Sequence, residues 1–172
     1  MQRIWAMPNH NTFSIKPINE LIARYIHTGE WIDPFARNSP FNSICKRTND
    51  LNPEANTTDH LEALEFLQSF ADESVDGVLF DPPYSPRQIS ECYKQVGREV
   101  HMKDTQSSFY GDRKKEIARI VKPSGIVISC GWNSGGIGKT LGFDLLEILL
   151  VPHGGAHNDT IVTVEKKIKK SL

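Results

Sequence analysis

One run constrains this chain more than any other: Gly77-Val78-Leu79-Phe80, apolar throughout, leads straight into Asp81. A strand without polar alternation has both faces covered, as in a parallel sheet packed between layers of helices. Around it, short β-rich runs alternate with helical patterns, which predicts β/α units on a doubly wound, mostly parallel sheet. Lys16 to Ile26 puts Ile18, Leu21, Ile22, Tyr25 and Ile26 on one helical face, with Pro17 suited to the first turn. Trp31-Ile32-Asp33 reads as a short strand ended by Pro34, Asn42 to Arg47 as a second ending near Asn49-Asp50, and Ala55 to Thr58 as a candidate third ending at Asp59. His60 to Phe70 and Asp112 to Val121 read as helices, and Gly125 to Cys130 and Phe143 to Val151 as strands. After the loop Pro152 to Asn158, Asp159 to Glu165 reads as a final strand.

At 172 residues there is room for one core, so a single domain over 1–172 is expected. The longest apolar run is too short to cross a bilayer, and Met1 to His10 lacks the pattern of a signal peptide, so the expectation is a cytoplasmic protein. Cys45, Cys92 and Cys130 are odd in number and scattered, which argues against a disulfide framework and against a zinc site. His153 and His157 have ligand-like spacing, but Gly154-Gly155 between them opposes a helix, and no metal is expected. The net charge of −1 conceals an asymmetry: residues 85–122 hold nine Lys and Arg against five Asp and Glu, beside an acidic first half. That segment is a candidate footprint for a polyanion.

In an open α/β sheet the ligand crevice lies beyond the carboxyl ends of the strands. Asp33, Asp50, Asp59 and Asp81 are all expected to project into it. Carboxylates there suit a ligand that presents ribose hydroxyls, an adenine amino group and an ammonium. The most specific segment is Asp81-Pro82-Pro83-Tyr84. An exocyclic amine is a poor nucleophile, because its lone pair is delocalised into the base. It needs acceptors that hold its hydrogens as the nitrogen becomes tetrahedral. Asp81 and the Pro82 carbonyl supply two, consecutive prolines stiffen the loop and remove donors, and Tyr84 is suited to stacking on an extruded base.

This segment resembles the catalytic loop of S-adenosylmethionine-dependent amino-methyltransferases. Thr12-Phe13-Ser14-Ile15-Lys16-Pro17 is similar to the family's N-terminal cofactor motif, and Asp33-Pro34-Phe35-Ala36 to the start of its first-strand motif, Asp-Pro-Phe-x-Gly-x-Gly. Asn49-Asp50 and Asp59 match its acidic positions for ribose and adenine. The resemblance implies a Rossmann-like methyltransferase fold with an antiparallel last strand. It also implies S-adenosylmethionine as cofactor, held by Thr12, Phe13, Lys16, Pro17, Asp33, Pro34, Phe35, Asp50 and Asp59. The implied reaction is methylation of adenine N6 in DNA, Asp at the first loop position favouring adenine over cytosine. RNA is the alternative substrate, and a catalytically weakened subunit that binds nucleic acid or a partner methyltransferase is a third reading. After Phe35-Ala36 this chain has Arg37-Asn38-Ser39-Pro40 where the family has glycines, and Asn38 is the residue expected to tolerate the left-handed region. Ser85 to Gly111, with Arg87, Lys94, Arg98, His101 and Lys103 among Tyr93, Phe109 and Tyr110, is the one candidate for target recognition. It is short enough that a second copy or partner subunit is a natural supplier of the rest. Asn133 to Thr140 nearly matches a phosphate-binding loop but lacks its first glycine, and reads as the loop and short turn after a strand.

Overall fold

The computed structural model describes residues 1–98 and 108–169. In chain order the elements are β1 (Gln2–Arg3), a 3-10 turn (Thr12–Ser14), α1 (Lys16–Ala23), β2 (Trp31–Asp33), β3 (Arg47–Thr48), α2 (Ala63–Gln68) and β4 (Val75–Phe80). They continue with α3 (Pro86–Gln95), α4 (Ser108–Ile120), β5 (Val121–Gly131), a second 3-10 turn (Lys139–Leu141), β6 (Phe143–Val151) and β7 (Thr160–Lys167). The seven strands form one sheet in the order β1-β6-β7-β5-β4-β2-β3. β2, β3, β4 and β5 run parallel, while β7 is inserted antiparallel between β5 and β6.

Period-two alternation divides the central strands between two cores. Ile32, Val78, Phe80 and Val127 point to the face covered by α2 and α4, where Phe66, Leu67, Ile117 and Ile120 are buried. Trp31, Leu79, Ile128 and Cys130 point to the opposite face, covered by Ile18, Leu21 and Ile22 of α1. Covering both faces is what the continuous run into Asp81 requires. Gly77 in β4 lies opposite Trp31 of β2, and a Cβ there would sit 2.3 Å from the indole. The missing side chain therefore makes room for a tryptophan between layers.

Several expected boundaries differ: β5 begins at Val121 rather than Gly125, α2 spans only Ala63–Gln68 of the expected His60 to Phe70, and α1 stops at Ala23 rather than Ile26. Residues 41–46 form tight turns, with Ile44 and Cys45 both donating to the Phe41 carbonyl, and only Arg47–Thr48 is strand. Phe41 and Cys45, four apart, are buried while Ile44 is exposed, which is a helical spacing. Ala55 to Thr58 is irregular, and Asp59 makes a single bridge to Asn49. The helix expected from Asp112 starts at Ser108, because Phe109 is buried and Arg113 packs over its ring one turn later. His101 and Lys103 lie outside the described residues.

Candidate active site

The carboxyl ends of β2, β3, β4 and β5 open onto two clefts. The smaller, of about 290 Å³, is lined by Pro34, Phe35, Asp50, Leu51, Leu61 and Val96 among others. The larger, of about 980 Å³, is lined by Thr12, Asp81, Pro82, Tyr84, Trp132 and His157 among others. Arg37, His10, Cys92 and Gln95 line both. One stripe of α3 (Gln88, Glu91, Cys92 and Gln95) forms a wall, at the i, i+3, i+4 and i+7 spacing of a helix face. Ile89 and Tyr93 on the same helix are buried against Phe109.

Asp81 is almost fully buried at the end of β4. Its Oδ1 accepts a hydrogen bond from the Tyr84 hydroxyl. Burial raises its pKa above the usual carboxylate range, while the Arg37 charge and hydrogen bonds from Tyr84 and Thr12 pull it back down. The Tyr84 hydroxyl is pushed well above its ordinary value, first by burial and then by the Asp81 charge. The loop is braced from two sides: Tyr84 N–H donates to Gln88 Oε1 at 2.6 Å, and the Tyr110 hydroxyl donates to the Pro83 carbonyl. The Pro82 carbonyl accepts no hydrogen bond among the described residues and stays available. A buried carboxylate bonded by Tyr84 at Oδ1 and approached by the Thr12 hydroxyl, beside a carbonyl that accepts from no described residue, is an acceptor pair for the hydrogens of an amine.

The four strand-ending aspartates do not all reach the crevice. Asp50 does, its two oxygens also accepting from the Arg37 and Asn52 N–H groups at 3.1 and 2.8 Å. Asp33 lies fully buried behind the cleft wall; Oδ1 accepts from Phe35 N–H at 3.0 Å in a local turn, and Oδ2 has no partner. Burial and the nearby Asp81 charge raise its pKa well above the usual range, against the pull of the Phe35 N–H. Asp59 is turned away by Arg47, which holds both carboxylate oxygens at 3.0 and 3.2 Å, so its pKa is lowered. An aspartate beside a strand end is captured by whichever donor is nearest, and the sequence does not display Arg47 as that donor.

Of the N-terminal residues, Thr12 reaches the large cleft. Phe13 is instead buried edge-on against Phe41, Pro17 is buried at the start of α1, and Lys16 is exposed, 4.0 Å from Glu20. Pro34 and Phe35 line the small cleft as expected.

A methyltransferase from Archaeoglobus fulgidus, described as S-adenosylmethionine-dependent, superposes with a TM-score of 0.63 at 11% identity, covering 88% of this chain and 92% of that one. The N-methyltransferase NodS from Bradyrhizobium japonicum gives 0.59 at 10% identity, over 94% of this chain and 100% of the other. A Burkholderia thailandensis N1-methyltransferase, solved with 1,6-didemethyltoxoflavin and S-adenosylhomocysteine, gives 0.57 at 14% identity, over 89% and 76%. The fold is that of the Rossmann-like methyltransferases. No protein-family model and no curated protein sequence matches the chain.

On this methyltransferase fold, two residues stand out that sequence reasoning missed or misplaced. Trp132, directly after β5, is exposed and meets the Tyr84 ring edge-on at 5.6 Å. Its position at the carboxyl end of a central strand was the available signal. Arg37, not Asn38, takes the left-handed backbone at the position of the first glycine in the motif that Asp33-Pro34-Phe35-Ala36 resembles, with φ of 49°. That conformation costs a non-glycine residue roughly 1–2 kcal/mol, offset here by the bond to Asp50.

The glycine-rich stretch Asn133 to Thr140 also finds its explanation. The N–H groups of Ile137 and Gly138 clasp the buried carboxylate of Glu165 at 2.7 and 2.9 Å. A Cβ on Gly136 would lie 2.3 Å from Glu165 Oε2. The loop thus cradles an anion belonging to the protein itself. His153 is occupied too, bonding the Ala6 carbonyl through Nδ1 and Thr160 through Nε2, and no group of metal ligands occurs among the described residues. Of the basic residues, Arg87 pairs with Glu91 and Arg98 with Glu62, while Lys94 is exposed in the last turn of α3. Among the described residues no helix is long and apolar enough to cross a membrane.

Proposed function

We propose that this chain transfers a methyl group from S-adenosylmethionine to an exocyclic amino nitrogen of a nucleic acid base, N6 of adenine in DNA. The observation that carries the reading is the Asp81 carboxylate, buried at the end of the central strand in the wall of the large cleft, next to the open Pro82 carbonyl. The residues present fit the cofactor. Asp50 offers acceptors for ribose hydroxyls, and Phe35, Leu51 and Val96 offer apolar walls for an adenine ring. When bound, S-adenosylmethionine supplies an electrophilic methyl group.

The chain's own residues then do the rest. Asp81 Oδ2 and the Pro82 carbonyl accept the two amino hydrogens, which localises the nitrogen lone pair and orients it into the cleft. Burial makes Asp81 a stronger base than an exposed aspartate, suited to holding a proton as the nitrogen becomes positive. The Tyr84 and Trp132 rings give the flipped base an aromatic surface. Arg87, Lys94 and Arg98 on and after α3 are the proposed phosphate contacts, and segment 85–111 the target-recognition element. The Asp in the first loop position favours adenine over cytosine through the family resemblance.

The test is transfer of labelled methyl to unmethylated DNA and, in parallel, to RNA. Asp81→Ala is expected to lower kcat by a factor on the order of 10² while calorimetric binding of S-adenosylhomocysteine persists. Asp50→Ala is expected to weaken that binding. Full transfer by Asp81→Ala refutes the assignment.

A further inference from the structure

Arg37 occupies the ridge between the two clefts and lines both. Its backbone is left-handed, and its N–H donates to Asp50 Oδ2 at 3.1 Å, fixing it to the rim of the small cleft. Its Nη1 donates to the His10 carbonyl at 3.1 Å, 27 residues away in sequence. A second tie joins the same segments, Asn11 Nδ2 to the Asn38 carbonyl at 3.0 Å. The stretch His10 to Thr12, which enters the 3-10 turn and contributes Thr12 to the large cleft, is therefore strapped to the Arg37–Asn38 turn where the two clefts meet. Glycine, which the related motif carries here, makes neither the strap nor a charge.

Arg37 also faces a concentration of negative charge. Asp81 and Glu91 share the large cleft with it, Asp50 and Glu62 the small one, and Asp33 lies buried behind. The remaining titratable groups around the two clefts are Tyr84, Tyr93, Cys92, Cys130 next to Asp81, and the imidazoles of His10, His153 and His157. Arg37 and Arg113 are the arginines lining these clefts among the described residues, and Arg113 is buried against the Phe109 ring.

We propose that Arg37 is a positioning residue for methyl transfer, latching the His10 to Thr12 segment over the joined clefts and supplying the counter-charge to the Asp81 carboxylate. The role rests on the methyltransferase reading above. It gives an arginine at a left-handed position a physical use: the side chain holds two walls of the site together and favours the ionised form of its acceptor. The direction of its effect on Asp33, Asp81 and Cys92, a lowering of all three pKa values, agrees with that geometry.

The test uses Arg37→Asn, which tolerates the left-handed backbone without charge, Arg37→Gly, and Arg37→Lys. Two readouts need no cofactor and no turnover. In Arg37→Asn and Arg37→Gly the Asp81 carboxyl, followed by NMR of carbon-labelled aspartate with Asp33→Asn for assignment, is expected to titrate at higher pH than in the unmodified chain, and Arg37→Lys to restore most of the difference. Amides of residues 11–15 are expected to exchange about threefold faster or more in Arg37→Asn. With DNA as substrate, the acid limb of kcat/KM should move upward with the Asp81 titration while the S-adenosylhomocysteine Kd holds. An unchanged Asp81 titration and unchanged exchange overturn the proposal. So does a loss confined to S-adenosylhomocysteine affinity, which makes Arg37 a cofactor ligand instead. Absence of methyl transfer by the unmodified chain refutes the methyltransferase reading and leaves both cofactor-free measurements standing.

Discussion

Removing the Glu165 carboxylate exposes how much the glycine-rich loop depends on it. In Glu165→Ala the Ile137 and Gly138 N–H groups lose their acceptors. Ile137 is buried, so its N–H is left without water, and an unsatisfied buried donor costs about 1–3 kcal/mol. Gly138 is partly exposed and recovers some hydration, which puts it near the lower end of that range. The sum is about 3 kcal/mol, and for a domain of this size each kcal/mol moves Tm by about 2–4 °C, so a fall of roughly 6–12 °C is expected. Glu165→Gln keeps one acceptor oxygen and should lose about half as much. Circular dichroism melts with urea titrations as a check give both values. Gly136→Ala, whose added Cβ collides with the same carboxylate, should be strongly non-additive with Glu165→Ala. A loss below about 1 kcal/mol in Glu165→Ala, or a rise in Tm of the unmodified protein on adding ATP, refutes the view that the loop is filled by the protein's own anion.

Tyr84→Ala should cost about 1–3 kcal/mol, mostly in nucleic acid binding, whereas Tyr84→Phe keeps the ring and should be mild; fluorescence titration with DNA separates them. Replacing Arg87, Lys94 and Arg98 together with Ala should weaken DNA binding and flatten its dependence on salt with cofactor affinity nearly unchanged, and an unaltered salt slope moves the contact face elsewhere. Asp33→Asn should raise Tm at pH 8. The pKa of Asp33 is raised in the folded state, so its ionised form weakens the native protein above that pKa, and the gain from Asn should shrink as pH falls and Asp33 takes up its proton.

The parts of this chain legible in its sequence are those where burial alone decides. β6 runs from Phe143 to Val151 as expected, and β4 is two-sided as its unbroken apolar run requires. The irregular turn after β4, Asp81 to Pro83, was legible because prolines fix the backbone locally, independent of what packs around them. What escaped depended on partners distant in sequence. Asp59 is captured by Arg47, twelve residues before it, and Phe13 by Phe41. Arg37 takes the left-handed turn because Asp50 and His10 receive its donors, whereas local propensity points to Asn38. The strand expected over residues 42–47 failed for a nearer reason: the spacing of Phe41 and Cys45 is that of a turn of helix.

Among the described strands β7 is the last in sequence and a middle one in space, hydrogen-bonded to β5 on one side and β6 on the other. During synthesis the nascent chain therefore holds an unfinished sheet. β2 to β5 can pair as they emerge, but β5 keeps an open edge, and β6 with β1 has nothing to join until residues 160–167 leave the ribosome. Open edges recruit other strands, so a pause before residue 160 leaves a template for pairing between neighbouring chains on one message. The last strand closes both edges at once, and the speed of its arrival sets how long the newborn protein is exposed to them.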